Sequence, residues 1–257
     1  MASIHTQKTF IVDFEYGGLG DSLFFSHLPR IAKQFGGFDR VYISNGIPFR
    51  HPEYKELIWD LNPFVDGFCD ERVPAPAFAA VEPGMNLLDK HMLLVGLDDG
   101  QRFHRPEIYY LPQRVPQVAG KTIYDPNWLS NVGSLRPEDV ARFFREENIR
   151  VDFQMKLRDK SLPITDFQET LEAVSLAQFC DIIHSSGALY CPVSGTATLA
   201  SALGKPGVVF YTQEQNPMFR HWRQHNYVRL REDHAPPQPP SRIARLAQAI
   251  QRRIAHT

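Results

Sequence analysis

The sequence has few cysteines and lacks the common metal-binding patterns. Only Cys69, Cys180 and Cys191 occur among its 257 residues, and none of them forms a CxxC pair. The ten histidines include neither an HxxH nor an HExxH pattern. A sparse, odd number of cysteines disfavours a disulfide framework and fits a reduced, cytoplasmic chain. We therefore predict a cytoplasmic protein with no bound metal and no cofactor.

The sequence also lacks an excess of charge of one sign and lacks a long apolar run. Its 28 Lys+Arg and 29 Asp+Glu give a net charge of −1, and the basic residues are scattered along the chain. Binding of nucleic acid by a broad basic surface needs many phosphate contacts on one face, so we expect no nucleic-acid partner. No apolar run approaches the ~20 residues of a membrane span, and MASIHTQKTF is no signal peptide. Any membrane contact should be peripheral.

The first part of the chain has the pattern of an α/β unit. Thr9–Phe14 is a short apolar run typical of a strand, and a glycine-rich turn follows it. Ser22–Phe35 has apolar residues at helical spacing, with Pro29 expected to kink the helix. Arg40–Ser44 reads as the next strand. A strand, a crossover helix and a second strand predict a parallel pair and an α/β domain.

The middle of the chain is less regular. We predict a helix at Glu53–Leu61, a short strand at Phe64–Phe68 and a Pro/Ala-rich loop at Val73–Gly84. Leu87–Val95 and Arg105–Leu111 fit either strands or short helices. Pro112–Gly120 is rich in proline and polar residues, which is typical of a domain boundary.

The α/β alternation restarts after this boundary. The predicted strands are Lys121–Tyr124, Val151–Leu157, Ala188–Pro192 and Val208–Tyr211, and the predicted helices are Pro137–Glu147, Ser175–Ser185, Gly195–Gly204 and a closing helix at Ser241–Ala255. We therefore predict two Rossmann-like domains, residues 1–118 and residues 119–257.

The glycine turn Gly17–Asp21 connects the first strand to its helix. Glycines such as Gly18 and Gly20 let a ligand approach the backbone, and the helix start provides a positive pole. Asp21 fits two roles equally well: an ordinary helix cap, or a general base at an interdomain cleft. The turn is not the G-x-G-x-x-G dinucleotide motif, because Ser22 stands at the third glycine position.

A second turn follows the predicted strand Ala188–Pro192. Ser194, Gly195, Thr196 and Thr198 place small and hydroxyl residues at a helix start, where amide donors, hydroxyl donors and the helix dipole suit a phosphate. Ser194 could equally be a plain N-cap residue. In open α/β sheets, ligands bind at the carboxyl ends of the strands, so facing domains would bring the two turns to one cleft. A base opposite an anion site is what transfer from a diphosphate-activated donor requires.

In three segments the sequence resembles the ADP-heptose:lipopolysaccharide heptosyltransferases, glycosyltransferase family 9 enzymes of GT-B architecture. The segments are GGLGDSLFFSHLPRIAK, NPFVDGF and SLAQFCDIIHSSGALYCPVSGTATLASALGKPGVVFY. The resemblance implies an inverting, metal-independent sugar transfer from a nucleotide-diphosphate donor, with a role in lipopolysaccharide or glycan biosynthesis. It assigns Asp21 as the base and the Ser194–Thr198 turn as the diphosphate site, and it places Val174 and Ser175 near the nucleotide base.

The sequence departs from the family's pattern around the second turn. Pro192 and Val193 stand where the family has acidic or amide residues, and Thr198 stands where it has a histidine. The family's basic residue after the first strand of the second domain has no clear counterpart, with Arg136 the nearest. These departures keep open a non-catalytic nucleotide-sugar or glycan-binding protein on the same scaffold.

Further residues are candidates for the cleft. Arg220 and Arg223 could contact phosphate or the acceptor, although NPMFRHWR also fits a surface loop. His27 could orient an acceptor or be a buried helix residue, and Asp125 could face a ligand or form a turn with Pro126. The expected acceptor is a hydroxyl of a glycan, a lipid-linked sugar or a protein. The chain leaves a homodimer open.

Overall fold

The structure, a computed structural model, describes residues 7–74, 81–130, 132–215 and 221–230. It is an α/β protein with two parallel sheets. The first sheet has the order β1-β2-β3, and the second has the order β6-β5-β4-β7-β8-β9. The strands are β1 (Thr9–Val12), β2 (Arg40–Ser44), β3 (Gly67–Cys69), β4 (Thr122–Tyr124), β5 (Val151–Met155), β6 (Phe167–Leu171), β7 (Ala188–Pro192), β8 (Val208–Tyr211) and β9 (Asn226–Arg229).

The second sheet has the strand order of a doubly wound nucleotide-binding fold. Counted along the sheet, its strands run third, second, first, fourth, fifth and sixth in sequence. Successive strands are therefore added outward from β4 on one side and from β7 on the other, and β4 and β7 pair directly in parallel at this switch point. A crevice for a ligand opens at the carboxyl ends of the two strands that flank such a switch point.

Helices connect the strands. They are α1 (Leu19–Phe25), α2 (Leu28–Gln34), α3 (Pro52–Tyr54, continued by a π-helical segment Lys55–Asp60), α4 (Leu87–Leu94), α5 (Pro137–Glu146), α6 (Leu176–Ser185) and α7 (Gly195–Ala202). A short 3₁₀ turn, Pro116–Val118, precedes β4. The division into domains at residue 118 stays a prediction, although the two sheets take their strands from opposite sides of it.

The helix predicted over Ser22–Phe35 is in fact two helices. α1 ends at Phe25, and α2 begins at Leu28 with Pro29 in its first turn. Proline has no N–H to donate and is tolerated where a helix begins, so it starts a new helix here instead of kinking one. The prediction of a single helix was wrong at this point.

The irregular middle differs from the prediction in three places. The strand predicted at Phe64–Phe68 lies at Gly67–Cys69, and the helix predicted over Glu53–Leu61 becomes α3 with its π-helical continuation. Leu87–Leu94 is a helix, which is one of its two predicted alternatives, and Asn86 and Asp89 form a reciprocal capping box at its start. Arg105–Leu111 is neither helix nor strand.

Two edge strands were missed. In β6 only Leu171 is buried, and β9 has no fully buried residue. An edge strand can expose most of its side chains, so these segments lack the apolar pattern that identifies a buried strand. The predicted closing helix Ser241–Ala255 lies outside the described residues.

One hydrophobic cluster joins the two halves. It runs from Val12 and Ile43 of the first sheet through Leu23 of α1 to Leu199 and Ala200 of α7. A second cluster around Tyr124 and Phe210 lies within the second half. The shared cluster fixes the position of α1 against α7, and this contact shapes the candidate site.

Candidate active site

The first glycine turn is fixed tightly to the backbone that follows β2. A methyl group added at Gly17 would lie 1.9 Å from the carbonyl oxygen of Pro48. The Arg50 N–H donates to the carbonyl oxygen of Gly17 at 3.0 Å. Only glycine fits this position, because a side chain would overlap the neighbouring main chain.

Asp21 caps the helix that follows this turn. Its Oδ2 atom accepts a hydrogen bond from the N–H of Gly18, the N-cap residue of α1, at 3.1 Å. The side chain is partly exposed. Asp21 is therefore not the N-cap residue itself but the third residue of α1, from which its carboxylate bonds back to the N-cap N–H. Its role as a base stays a prediction.

Two of the three hydroxyl groups in the second turn have no partner among the described residues. Ser194 is the N-cap residue of α7, but its side chain makes no capping hydrogen bond. Ser194 Oγ and Thr198 Oγ1 are buried, at 8% and 0% residue exposure, and have no hydrogen-bond partner in the described part of the chain. A buried hydroxyl without a partner costs stability, so the start of α7 has unused hydrogen-bonding capacity.

Thr196 is the exception in this turn. Its Oγ1 atom donates to Asp125 Oδ2 at 2.5 Å. Asp125 follows β4 and is 2% exposed, and its burial raises its pKa, while hydrogen bonds from Thr196 and Asn127 act in the opposite direction. This pair joins the ends of β4 and β7 across the switch point of the sheet.

The two turns meet where α1 packs against α7. A methyl group added at Gly20 would lie 3.5 Å from Gly195 Cα and 3.9 Å from Thr198 Oγ1. A methyl group added at Gly195 would lie 3.2 Å from the Gly20 nitrogen. The glycines thus allow close backbone approach, and the predicted site residues Gly18, Gly20, Asp21, Ser194, Gly195, Thr196 and Thr198 lie in one region.

Val174 and Ser175 lie at the start of α6, next to an element of the first half. Ser175 Oγ accepts from the Gln178 N–H at 3.0 Å as an ordinary N-cap, and Val174 is 82% exposed. Glu53 of α3 accepts a hydrogen bond from the Leu176 N–H. The start of α6 is therefore covered on one side by α3.

Two of the three arginines predicted to contact phosphate or the acceptor, Arg136 and Arg223, have other partners in this structure. Arg136, the N-cap residue of α5, donates to both carboxylate oxygens of Asp139 at 3.1 and 3.2 Å. The Arg223 guanidinium lies 3.4 Å from the ring centroid of Phe103. Arg220 lies outside the described residues. Phosphate or acceptor contacts by these arginines remain predictions.

Sequence reasoning missed two other arginines. Arg50 follows β2 and lies beside the first turn, where its Nη1 atom is 3.9 Å from a methyl group added at Gly18. Arg158 follows β5 at the carboxyl edge of the second sheet, and its N–H donates to Asn127 Oδ1 at 2.8 Å. The available signal was a basic residue shortly after a predicted parallel strand.

His27 does not reach the crevice. It is 0% exposed, and its burial, with a smaller contribution from the neighbouring His104, lowers its pKa to about 3. His104 lies between Asp89 and Asp99, at 2.6 and 3.1 Å, and these carboxylates raise its pKa against the opposing effect of burial. This structure supports the interpretation of His27 as a buried helix residue.

The residues that the structure describes contain neither a metal-binding cluster nor a membrane-spanning helix. No group of three or more His, Cys, Asp or Glu side chains there could hold a metal ion. No helix within the same ranges is long and apolar enough to cross a membrane.

Solved structures of glycosyltransferases resemble this fold. A glycosyl transferase family 9 structure from Veillonella parvula matches with a TM-score of 0.57 and 11% identity over 87% of this chain and 85% of that chain. E. coli heptosyltransferase WaaC with ADP matches with a TM-score of 0.52 and 11% identity over 97% and 99% of the two chains. No protein-family model and no curated protein matches the sequence.

A third match is longer than this protein. It is the dodecameric, iron-containing heptosyltransferase TibC of enterotoxigenic E. coli, in complex with ADP-D-β-D-heptose. The TM-score is 0.57 and the identity 13%, and the match covers 90% of this chain but 63% of TibC.

The topology and these matches define the class of fold. The chain is a compact version of the GT-B architecture, with two facing Rossmann-like halves. More narrowly, its fold is that of the heptosyltransferase-like glycosyltransferases of family 9.

Proposed function

We propose that this protein is an inverting glycosyltransferase that moves a sugar from a nucleotide-diphosphate donor to an acceptor hydroxyl. The observation that carries the proposal is the meeting of the two turns at Gly20 and Gly195. The first turn, to which Asp21 belongs, thereby packs against a helix start whose buried hydroxyls, Ser194 and Thr198, have no partner among the described residues. ADP-heptose is the donor to test first, since structures of the same fold contain ADP or ADP-heptose.

The proposed reaction is a single displacement at the anomeric carbon. The acceptor oxygen attacks that carbon from the face opposite the diphosphate, and its proton passes to Asp21. The bond between the anomeric carbon and the phosphate oxygen breaks, and its electron pair leaves with the diphosphate. The α7 dipole, its free N–H groups and the nearby hydroxyls stabilise the charge on the leaving group. In this mechanism the reaction needs neither a metal nor a cofactor.

The acceptor side is assigned to the first half of the chain. Because Asp21 belongs to α1, the acceptor hydroxyl must lie within hydrogen-bond reach of the first turn. We propose a glycan, a lipid-linked sugar or a protein as the acceptor, in cytoplasmic glycan or lipopolysaccharide synthesis.

A second candidate is a nucleotide-sugar or glycan-binding protein without catalysis. Two observations favour it. Asp21 is engaged as a helix cap through Gly18, and Pro192 and Val193 precede the second turn where family 9 enzymes have acidic or amide residues. A scaffold with these changes could bind a donor without activating an acceptor.

The substitution Asp21→Asn separates the two candidates. Asparagine keeps an oxygen that can accept from the Gly18 N–H, so folding and donor binding should be retained. A lost general base should lower turnover by about 10²–10⁴-fold. The measurement is release of nucleoside diphosphate from ADP-heptose and other nucleotide sugars, with lipid-linked and oligosaccharide acceptors, alongside thermal unfolding.

Glu15→Gln is the matched control, because it removes a carboxylate from an exposed position in the same loop. It should leave turnover unchanged. Normal turnover of Asp21→Asn would contradict the role of Asp21 as base. Donor binding by the natural protein with no turnover on any acceptor would favour the binding protein.

A further inference from the structure

Two arginines near the two turns, Arg50 and Arg158, have no carboxylate partner within the described part of the chain. Several other basic side chains are paired, such as Arg30 with Glu107 and Arg72 with Asp13. Arg50 and Arg158 form no ion pair with any residue in the described ranges, and both are exposed. Arg50 follows β2 in the first half of the chain, and Arg158 follows β5 in the second half.

Arg50 is held beside the first turn by its own backbone. Its N–H donates to the Gly17 carbonyl oxygen at 3.0 Å, which ties the segment after β2 to the glycine turn. A methyl group added at Gly18 would lie 3.9 Å from Arg50 Nη1 and 2.8 Å from Asp21 Oδ2. The guanidinium and the proposed base therefore lie on the same side of Gly18.

Arg158 is held at the carboxyl edge of the second sheet. Its N–H donates to Asn127 Oδ1 at 2.8 Å, and Asn127 Nδ2 donates to Lys156 O at 3.0 Å and to Asp125 Oδ1 at 2.7 Å. Asp125 in turn accepts from Thr196 at the start of α7. A continuous chain of hydrogen bonds thus links the backbone of Arg158 to the second turn.

α3, which begins two residues after Arg50, contacts the second half of the chain. Glu53 of α3 accepts from the N–H of Leu176, which places α3 against the second half. Next to it, burial raises the pKa of Tyr54, while the guanidinium groups of Arg158 and Arg50 act to lower it. The hydroxyl of Tyr54 therefore lies within electrostatic range of both arginines.

We propose that Arg50 and Arg158 hold the diphosphate of the donor from opposite halves of the chain, beside the Ser194 end of α7. This inference rests on the proposed function and adds the residues that neutralise the leaving group. The guanidinium fork forms paired hydrogen bonds with phosphate oxygens, and two forks supply two positive charges in a crevice that also contains Asp21 and Asp125. Because one arginine comes from each half, a bound diphosphate also strengthens the contact between the halves.

Inorganic pyrophosphate is the probe, since it contains the diphosphate common to every nucleotide-sugar donor. Its binding to the full chain is measured by calorimetry, with ADP and adenosine as further ligands. Arg50→Ala and Arg158→Ala should each weaken the binding of pyrophosphate and of ADP by about tenfold or more, the effect of losing a charged hydrogen bond. Lysine at either position should restore part of the affinity, because it keeps the charge but not the fork.

Arg114→Ala is the matched control. Arg114 is exposed and precedes Val115, whose N–H bonds to Ser185 at the far end of α6 from the crevice. This substitution should leave all affinities unchanged. Thermal unfolding checks that each variant is folded.

The outcomes separate this inference from the proposed function. Equal pyrophosphate and ADP affinity in the natural protein and both alanine variants would overturn the role of the arginines, as would failure of the natural protein to bind either ligand. Arginine-dependent binding with normal turnover of Asp21→Asn would support the diphosphate clamp and contradict only the base.

Discussion

The two glycine turns of this protein look alike in sequence but differ in how their polar groups are used. In the first turn, the Asp21 carboxylate accepts from the Gly18 N–H and completes a helix cap. In the second turn, Ser194 occupies the N-cap position without a capping bond, and Thr198 Oγ1 is buried without a partner in the described ranges. The capping carboxylate of the first turn is bonded within its own helix start, although Ser22 Oγ of α1 is buried without a partner in the described ranges. At the second turn the N-cap hydroxyl itself, Ser194 Oγ, lacks such a bond.

The difference shows how a cap and a binding site can be distinguished. Both helices begin with small or polar residues, which is the common signal of an N-terminus. A satisfied cap stabilises the helix, while an unpaired buried hydroxyl costs stability unless another molecule bonds to it. We therefore expect substitutions in the first turn to change stability and those in the second turn to change binding.

The largest effect on stability should come from Gly17→Ala. The new methyl group would lie 1.9 Å from the Pro48 carbonyl oxygen, so the backbone of one segment would have to move. We expect a loss of about 3 kcal/mol in the free energy of unfolding, or failure to fold. Denaturant unfolding of the purified variant measures it.

Gly20→Ala is the control, since the nearest atom to its methyl group would be 3.5 Å away. This is ordinary contact, and we expect a change within about 1 kcal/mol. A Gly17→Ala variant as stable as Gly20→Ala would show that the first turn is not fixed by this contact.

Two buried histidines, His27 at the start of α2 and His91 in α4, should make the folded protein less stable in acid. Burial lowers the pKa of His27 to about 3 and that of His91 to about 4, below the unfolded value of 6.5. Below pH 6.5 the unfolded chain binds protons that these folded imidazoles do not bind, so stability falls as the pH falls. For His27 alone the loss between pH 6.5 and pH 4 is on the order of 3 kcal/mol. Chemical denaturation across this range measures it.

His27→Leu should flatten this pH dependence, while the same substitution at the exposed His184 should not. His104 acts in the opposite direction, because its folded pKa is raised. Its contribution is complete below pH 6.5 and is lost as the pH rises through the folded value. If the free energy of unfolding of His27→Leu fell with pH as steeply as that of the natural protein, His27 would take up protons as readily in the folded chain as in the unfolded chain, and this prediction would be wrong.

The smallest effects should come from the caps themselves. Asp21→Ala removes the bond to Gly18 and should cost about 1 kcal/mol of stability. Ser194→Ala removes a hydroxyl without a described partner, so its stability should stay within about 0.5 kcal/mol of the natural protein, while the affinity for pyrophosphate falls. Thermal unfolding and calorimetry of both variants test this, and a reversed order of stabilities would contradict the comparison.

Much of the fold could be predicted from the sequence. The units Thr9–Val12 with α1, and β7 with α7, follow from a short apolar run, a turn and a helical pattern. The GT-B fold is confirmed by the solved structures that resemble the chain. The edge strands β6 and β9 could not be predicted, because their exposed side chains carry no period-two apolar signal.

Only part of the candidate site could be predicted from the sequence. The two turns were identified, since their glycines and hydroxyls are adjacent in the chain. Arg50 and Arg158 were not identified, because a basic residue after a predicted strand does not by itself show that residues from two halves lie beside one site. Arg136 and Arg223 were chosen by their position in the sequence, and in the structure they contact Asp139 and Phe103.

The sequence by itself determined most of the buried strands, the turns and the residue types at the two helix starts, because these depend on local periodicity and backbone preferences. Tertiary structure decided which hydroxyls remained unpaired and which arginines lay at the crevice. Both depend on the packing of Gly20 against Gly195, a contact between residues far apart in the chain. Such a contact forms only when the hydrophobic cluster shared by the two halves has brought α1 and α7 together.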